Sequence, residues 1–168
     1  MLRFVLDGNV DREQPLGEQF KLFLELLVDG NYRLSLGSEF DLKQAFPFPS
    51  NWNPAIDFDH FYPIDTQLVL TQSPDSLNSD RVAHFAELIE SGKRPIILAV
   101  TTNEAWCDYV IDGHHKFAAY KQLNTQPMVF TATRVEPPTL PNDTFSTYFD
   151  NAHPLAKHYE RVKNRYGG

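Results

Sequence analysis

The stretch Ile111-Asp112-Gly113-His114-His115-Lys116 has residue types and spacing suited to chemistry on an anion. An apolar run precedes it and a helix-compatible run follows it, so Gly113 falls where a strand turns into a helix. The first N–H groups of a helix have no partner inside it and point outward. The aligned peptide dipoles add partial positive charge at the same place. Gly113 has no side chain and lets an anion come close to the backbone. His114, His115 and Lys116 set donor or cationic side chains around that point. Together these features describe an anion site, most readily for a phosphate. Asp112 suits a different task, either orienting Mg²⁺ or accepting a proton from a hydroxyl. The structural alternative is a plain strand-to-helix turn with two surface histidines.

The elements that must position this loop are legible around it. Residues 64–70 pattern as a strand, and Gln72-Ser73-Pro74-Asp75 as a turn. Asn78 or Ser79 can cap a helix, with Asp80 well placed in its first turn. Val82, Phe85, Ala86 and Ile89 form the apolar stripe of that helix, and Gly92 ends it. Pro95-Ile96-Ile97-Leu98-Ala99-Val100 reads as a buried strand, and residues 106–111 as another. A helix then runs from His114 to Leu123 with Asn124 as a left-handed cap, and residues 128–135 form a further strand. Upstream, Phe20 to Val28 alternates, Asp29-Gly30 is a hairpin signal, and Tyr32, Leu34 and Leu36 alternate again. A β-hairpin is expected there, with a helix over 17–28 as the competing reading. Residues 46–60 form a Pro- and aromatic-rich connector, whose prolines are expected to exclude regular structure. Residues 137–168 are a linker followed by a surface helix over 154–166. The division is therefore 1–60, an N-terminal β-rich extension and connector; 61–136, the core; and 137–168, the tail.

Bulk properties narrow the function classes. Hydrophobic residues at 42% and charged residues at 22% describe a folded globular chain. Aromatics at 13% supply a core or a partner-binding face. A net charge of −7 with no long basic run disfavours nucleic-acid binding, which depends on phosphate neutralisation. A free nucleotide remains compatible, because a nest of backbone N–H groups needs little net charge. No apolar run is long enough to span a membrane. Cys107 is the one cysteine, so no internal disulfide forms. With no leader-like first segment, a cytoplasmic location is expected. As a lone strand cysteine, Cys107 is read as packing. Asp57, Asp59 and His60 do not converge on one strand face, and His114-His115 lacks the i, i+4 spacing of a zinc helix.

The order of these elements resembles the ParB/sulfiredoxin superfamily over residues 61–136. The matching segments are Arg94-Pro95-Ile96-Ile97-Leu98 and Tyr109-Val110-Ile111-Asp112-Gly113-His114-His115-Lys116-Phe117-Ala118-Ala119-Tyr120. The resemblance implies an α+β fold, a small mixed sheet with packed helices, here preceded by the hairpin extension. It also implies that Gly113, His114, His115 and Lys116 hold the phosphates of ATP, ADP or another nucleotide. His114 stands where sulfiredoxins carry their cysteine, and the arginines of the chromosome-partitioning branch are missing. The Asp-Gly-His-His form looks most like the free-serine-kinase branch, which transfers phosphate to a small hydroxyl compound and uses an acidic residue of the earlier turn as base; Asp75 is the nearest candidate. The expected function is thus nucleotide-phosphate binding with Mg²⁺-assisted phosphotransfer or nucleotide hydrolysis, with Asp112, His114 and Asp75 as the catalytic candidates and Asp112 as the metal ligand. The alternative is a non-catalytic protein-binding module, of immunity or regulatory type, on the same scaffold.

Overall fold

A strand buried on both faces needs apolar side chains at every position, and Ile96-Ile97-Leu98-Ala99-Val100 supplies them. In the computed structural model this segment lies inside the sheet and is covered on both sides. The structure describes residues 5–38, 46–47, 67–72, 74–103 and 107–136. All belong to one of two units, Met1–Phe48 with Tyr62–Glu136; the other, Pro49–Phe61 with Pro137–Gly168, lies outside the described residues. The expectations for Asp57, Asp59 and His60, for the helix over 154–166 and for the Cys107 side chain also lie outside them.

The elements, in chain order, are α1 (Leu16–Gln19), α2 (Lys21–Leu24), β1 (Tyr32–Gly37), β2 (Phe46–Pro47), β3 (Gln67–Leu70), a single 3₁₀ turn (Pro74–Ser76), α3 (Ser79–Glu90), β4 (Ile96–Thr102), β5 (Cys107–Asp112), α4 (His114–Gln122) and β6 (Met128–Arg134). The strands form one sheet in the order β1-β6-β4-β5-β3-β2. β1/β6 and β4/β5 are antiparallel; β6/β4, β5/β3 and β3/β2 are parallel. A mixed sheet with helices packed on it is the expected α+β class.

Alternation along the strands sends successive side chains to opposite faces. Ile97, Ala99, Val110 and Val129 pack with Ala86 and Ile89 of α3 and with Phe117, Ala119 and Tyr120 of α4. Ile96, Leu98, Phe130 and Ala132 face the other way, onto Phe20 and Phe23. The helix ends follow local chemistry. Asn78 Oδ1 accepts the Arg81 N–H at 3.0 Å, which caps α3. Gly92 at φ +89° closes it, with Lys93 N–H donating to Leu88 O and Gly92 N–H to Ile89 O. Asn124 at φ 49° does the same for α4 through Asn124 and Thr125 N–H to Lys121 and Tyr120 O. The Tyr120 hydroxyl donates to Pro95 O at 2.9 Å, and its pKa is pushed up to about 12 by burial, so it stays a donor and ties α4 to the start of β4.

Two expectations are corrected. The β-hairpin extension is not formed: residues 16–24 make two single helical turns, and only its second arm, β1, is a strand, paired with β6. Phe20 and Phe23 are three apart, which puts both on one side of a helical turn and on opposite faces of a strand. Both are buried against Phe130, Phe20 stacked at 3.8 Å between centroids and Phe23 edge-on at 5.8 Å. Asp29-Gly30 makes no primed turn, since Gly30 has no positive φ; it lies against the Arg134 guanidinium, which donates to Asp29 O. Second, the Pro-rich connector begins with regular structure. Phe46–Pro47 pairs with β3 at the sheet edge, where a strand proline leaves no ladder bond unmade.

One buried acid sits among these strands. Asp108 of β5 is 7% exposed and accepts from the Thr131 hydroxyl at 3.0 Å, with Thr101 also bonded to it. Burial raises its pKa from 3.8 against the effect of both hydroxyls. A raised folded-state pKa means stability that is full below the unfolded value and lost as pH rises through the folded one. Asp108→Asn keeps an acceptor for Thr131 and removes the charge. It is expected to raise the melting temperature at pH 7 by a few degrees, roughly 1 kcal/mol, and the gain should vanish as thermal melts approach pH 3.8.

Candidate functional site

Gly113 joins β5 to α4 with φ +98° and ψ 21°, a conformation that L side chains rarely adopt. A Cβ there would stand 3.1 Å from Ile97 Cα and 3.3 Å from Ile97 Cγ1, so the loop lies directly on β4. Gly113 O accepts the Phe117 N–H at 2.8 Å, which starts the helical ladder. The N-cap of α4, Gly113, has no side chain with which to cap it, whereas Asn78 caps α3. The N-terminal amides of α4 therefore keep the outward, donor-rich end that suits an anion.

Each loop side chain has a definite place. The Asp112 carboxylate is 59% exposed. Lys116 is 5% exposed, and its Nζ donates to Ile96 O at 2.7 Å, lies 3.9 Å from Asp112 Oδ2 and stands 5.7 Å from the Phe85 ring centroid. Burial pulls its pKa down, while Asp112 and Asp7 pull it up. Lys116 thus runs beneath Gly113 with its ammonium on a strand carbonyl.

The two histidines face the turn that follows β3. His114 is buried, and its Nε2 lies 3.1 Å from Thr71 Oγ1. The Thr71 hydroxyl donates to Val110 O. Having one proton, it accepts from His114, which fixes the Nε2–H tautomer and leaves Nδ1 as the acceptor. Burial lowers the His114 pKa, as does His115; Asp112 and the Val110 carbonyl oppose them. His115 Nε2 accepts the Asn78 N–H at 3.1 Å, so its own proton sits on Nδ1. Its pKa is lowered by partial burial and by Arg81, against Asp112.

The loop is therefore joined to both sides of the Pro74–Ser76 turn, through Thr71 with His114 and Asn78 with His115. Asp75 is exposed on the turn between them. Of the expected site residues, Gly113, His114, His115 and Lys116 share the end of β5 and the start of α4, with Asp112 beside them. Asp75 comes from the facing turn. Thr71 is the site residue that sequence reasoning missed, since nothing in its neighbours marks it.

The comparisons with known proteins add no identity: no family model and no curated protein matches the chain. Among the described residues no three His, Cys, Asp or Glu side chains converge on one point. A Mg²⁺ ion on Asp112 would accordingly draw its other oxygen ligands from phosphates and water, as is usual for that ion. Among the described residues no helix is long and apolar enough to cross a membrane.

Proposed function

We propose that the chain binds a nucleotide through its phosphates at the Gly113 loop, in the manner of the ParB/sulfiredoxin superfamily, and that Mg²⁺-assisted transfer of a phosphoryl group to a small hydroxyl compound, or to water, follows. The observation that carries this reading is the α4 N-terminus, whose N-cap is a positive-φ Gly113 seated on Ile97. In this reading the first amides of α4 hold a phosphate, and the Nδ1–H that His115 retains donates to it. Lys116 supplies positive charge from beneath the loop. Asp112, exposed beside the amides, orients Mg²⁺ when that ion is bound. Neutral His114 and Asp75 of the facing turn are the groups that would take the hydroxyl proton.

Isothermal titration of the full chain with ATP, ADP, CTP and GTP, each with and without Mg²⁺, tests this. Binding by one nucleotide is expected, weakened about tenfold or more in Lys116→Met, which keeps the buried stem and removes the charge. Absence of binding by all four at millimolar concentration would sink the reading. A second reading, a protein-binding module on the same scaffold, is favoured by the exposure of Leu22, Leu26 and Val28 at 57%, 81% and 71%. A variant that loses nucleotide but keeps a protein partner would support it.

A further inference from the structure

Two bonds separated by long stretches of chain meet at the start of α4. His114 reaches back 43 residues to Thr71, and His115 reaches back 37 residues to Asn78. Between those two anchor points lies the single 3₁₀ turn Pro74–Ser76, which carries Asp75. We infer that His114 and His115 also serve as the two pins of a clamp that holds this turn against the α4 N-terminus, and that protonation of His115 opens the clamp at its Asn78 end.

The two pins differ chemically. At the Thr71 end the imidazole donates, so a second proton on His114 leaves that bond in place. At the Asn78 end the imidazole accepts, and an imidazolium has no lone pair to accept with. Protonated His115 must release the Asn78 N–H. The groups bearing on His115 come from each neighbouring element. Arg81 of α3 resists its protonation, Asp112 at the end of β5 favours it, His114 is its neighbour on α4, and Asp75 rides on the clamped turn. Partial burial and Arg81 outweigh Asp112, so His115 is neutral at pH 7 and takes its second proton below pH 6.5. The opening is local. Asn78 keeps its side-chain cap on the Arg81 N–H, which His115 does not touch.

As a device that shapes the phosphate site the clamp rests on the nucleotide reading; as a mechanical link it stands on these two bonds. The test needs no ligand, so its failure and a failure to bind nucleotide are separate results. The ¹⁵N-labelled chain is titrated from pH 8 to pH 5 while the Asn78 amide and the His115 ring are followed by NMR. The Asn78 amide proton is expected to move upfield with the same midpoint as the His115 ring, below pH 6.5. Its exchange protection should fall roughly fivefold, while the Arg81 amide keeps its shift. His115→Gln retains an acceptor that does not titrate, and should hold Asn78 in its pH 8 position throughout. His115→Ala should show the acid position already at pH 8. An Asn78 amide that stays still while His115 titrates, or that moves equally in His115→Gln, overturns the clamp.

Discussion

Replacing Gly113 with alanine is expected to destabilise the fold by about 3 kcal/mol, a fall of roughly 5–12 °C in melting temperature for a domain of this size. Two costs add. A β-carbon at φ +98° forces the strained side of the backbone map, on the order of 1–2 kcal/mol. The same carbon would press on Ile97 Cα at 3.1 Å, and that atom belongs to a fully buried residue of β4 which cannot yield. Gly92→Ala is the internal control. It shares the positive φ, at +89°, but nothing lies within 4 Å of its would-be Cβ, so only the conformational cost of about 1 kcal/mol applies. Thermal melts of the two variants separate the effects: equal losses would mean that the contact with Ile97 is not what fixes Gly113. Any anion site built on the α4 amides should weaken alongside, because relief of the clash moves those amides.

The difference between what patterning reveals and what it hides lies in how far apart the partners are in sequence. α3 is readable because Val82, Phe85, Ala86 and Ile89 repeat at helical spacing and because Asn78 and Gly92 punctuate it locally. β4 is readable because burial on both faces leaves an unbroken apolar run. The Gly113 loop is readable because one glycine between a strand and a helix has few other reasons to be there. The segment over 16–28 misleads because its leucines and phenylalanines satisfy a period of two as well as a helical period. Tertiary packing decides the matter: the Phe20–Phe23 pair needs one face, and the leftover Leu22 and Leu26 end up exposed. The roles of the loop side chains were hidden for another reason. A lysine beside a glycine suggests a phosphate ligand, yet its long stem let Lys116 reach Ile96 O, 20 residues away. Thr71 and Asn78 find the histidines only once β3, β5 and both helices are assembled.

Phe130→Ala should give the largest stability loss in the described fold, about 3–5 kcal/mol, because a fully buried aromatic leaves both its transfer free energy and a cavity. Its surroundings make the loss directional. Phe130 of β6 holds Phe20 of α1–α2 by stacking and Phe23 by an edge contact, and ring pairs of this kind carry roughly 0.5–1.5 kcal/mol beyond their area. Hydrogen exchange should therefore quicken first over residues 16–24. Amides of α3 and α4, which pack on the opposite face against Ile97 and Val129, should lose protection only with global unfolding. Phe20→Ala combined with Phe130→Ala should cost less than the sum of the two single losses, since the stack can be lost only once. If the exchange of α4 quickens as early as that of residues 16–24, the two faces of the sheet are one cooperative unit. If it lags, the loop at Gly113 rests on a face that survives detachment of the N-terminal turns, and the nucleotide binding proposed for that loop should be the same in Phe130→Leu, which refills most of the cavity, as in the unaltered chain.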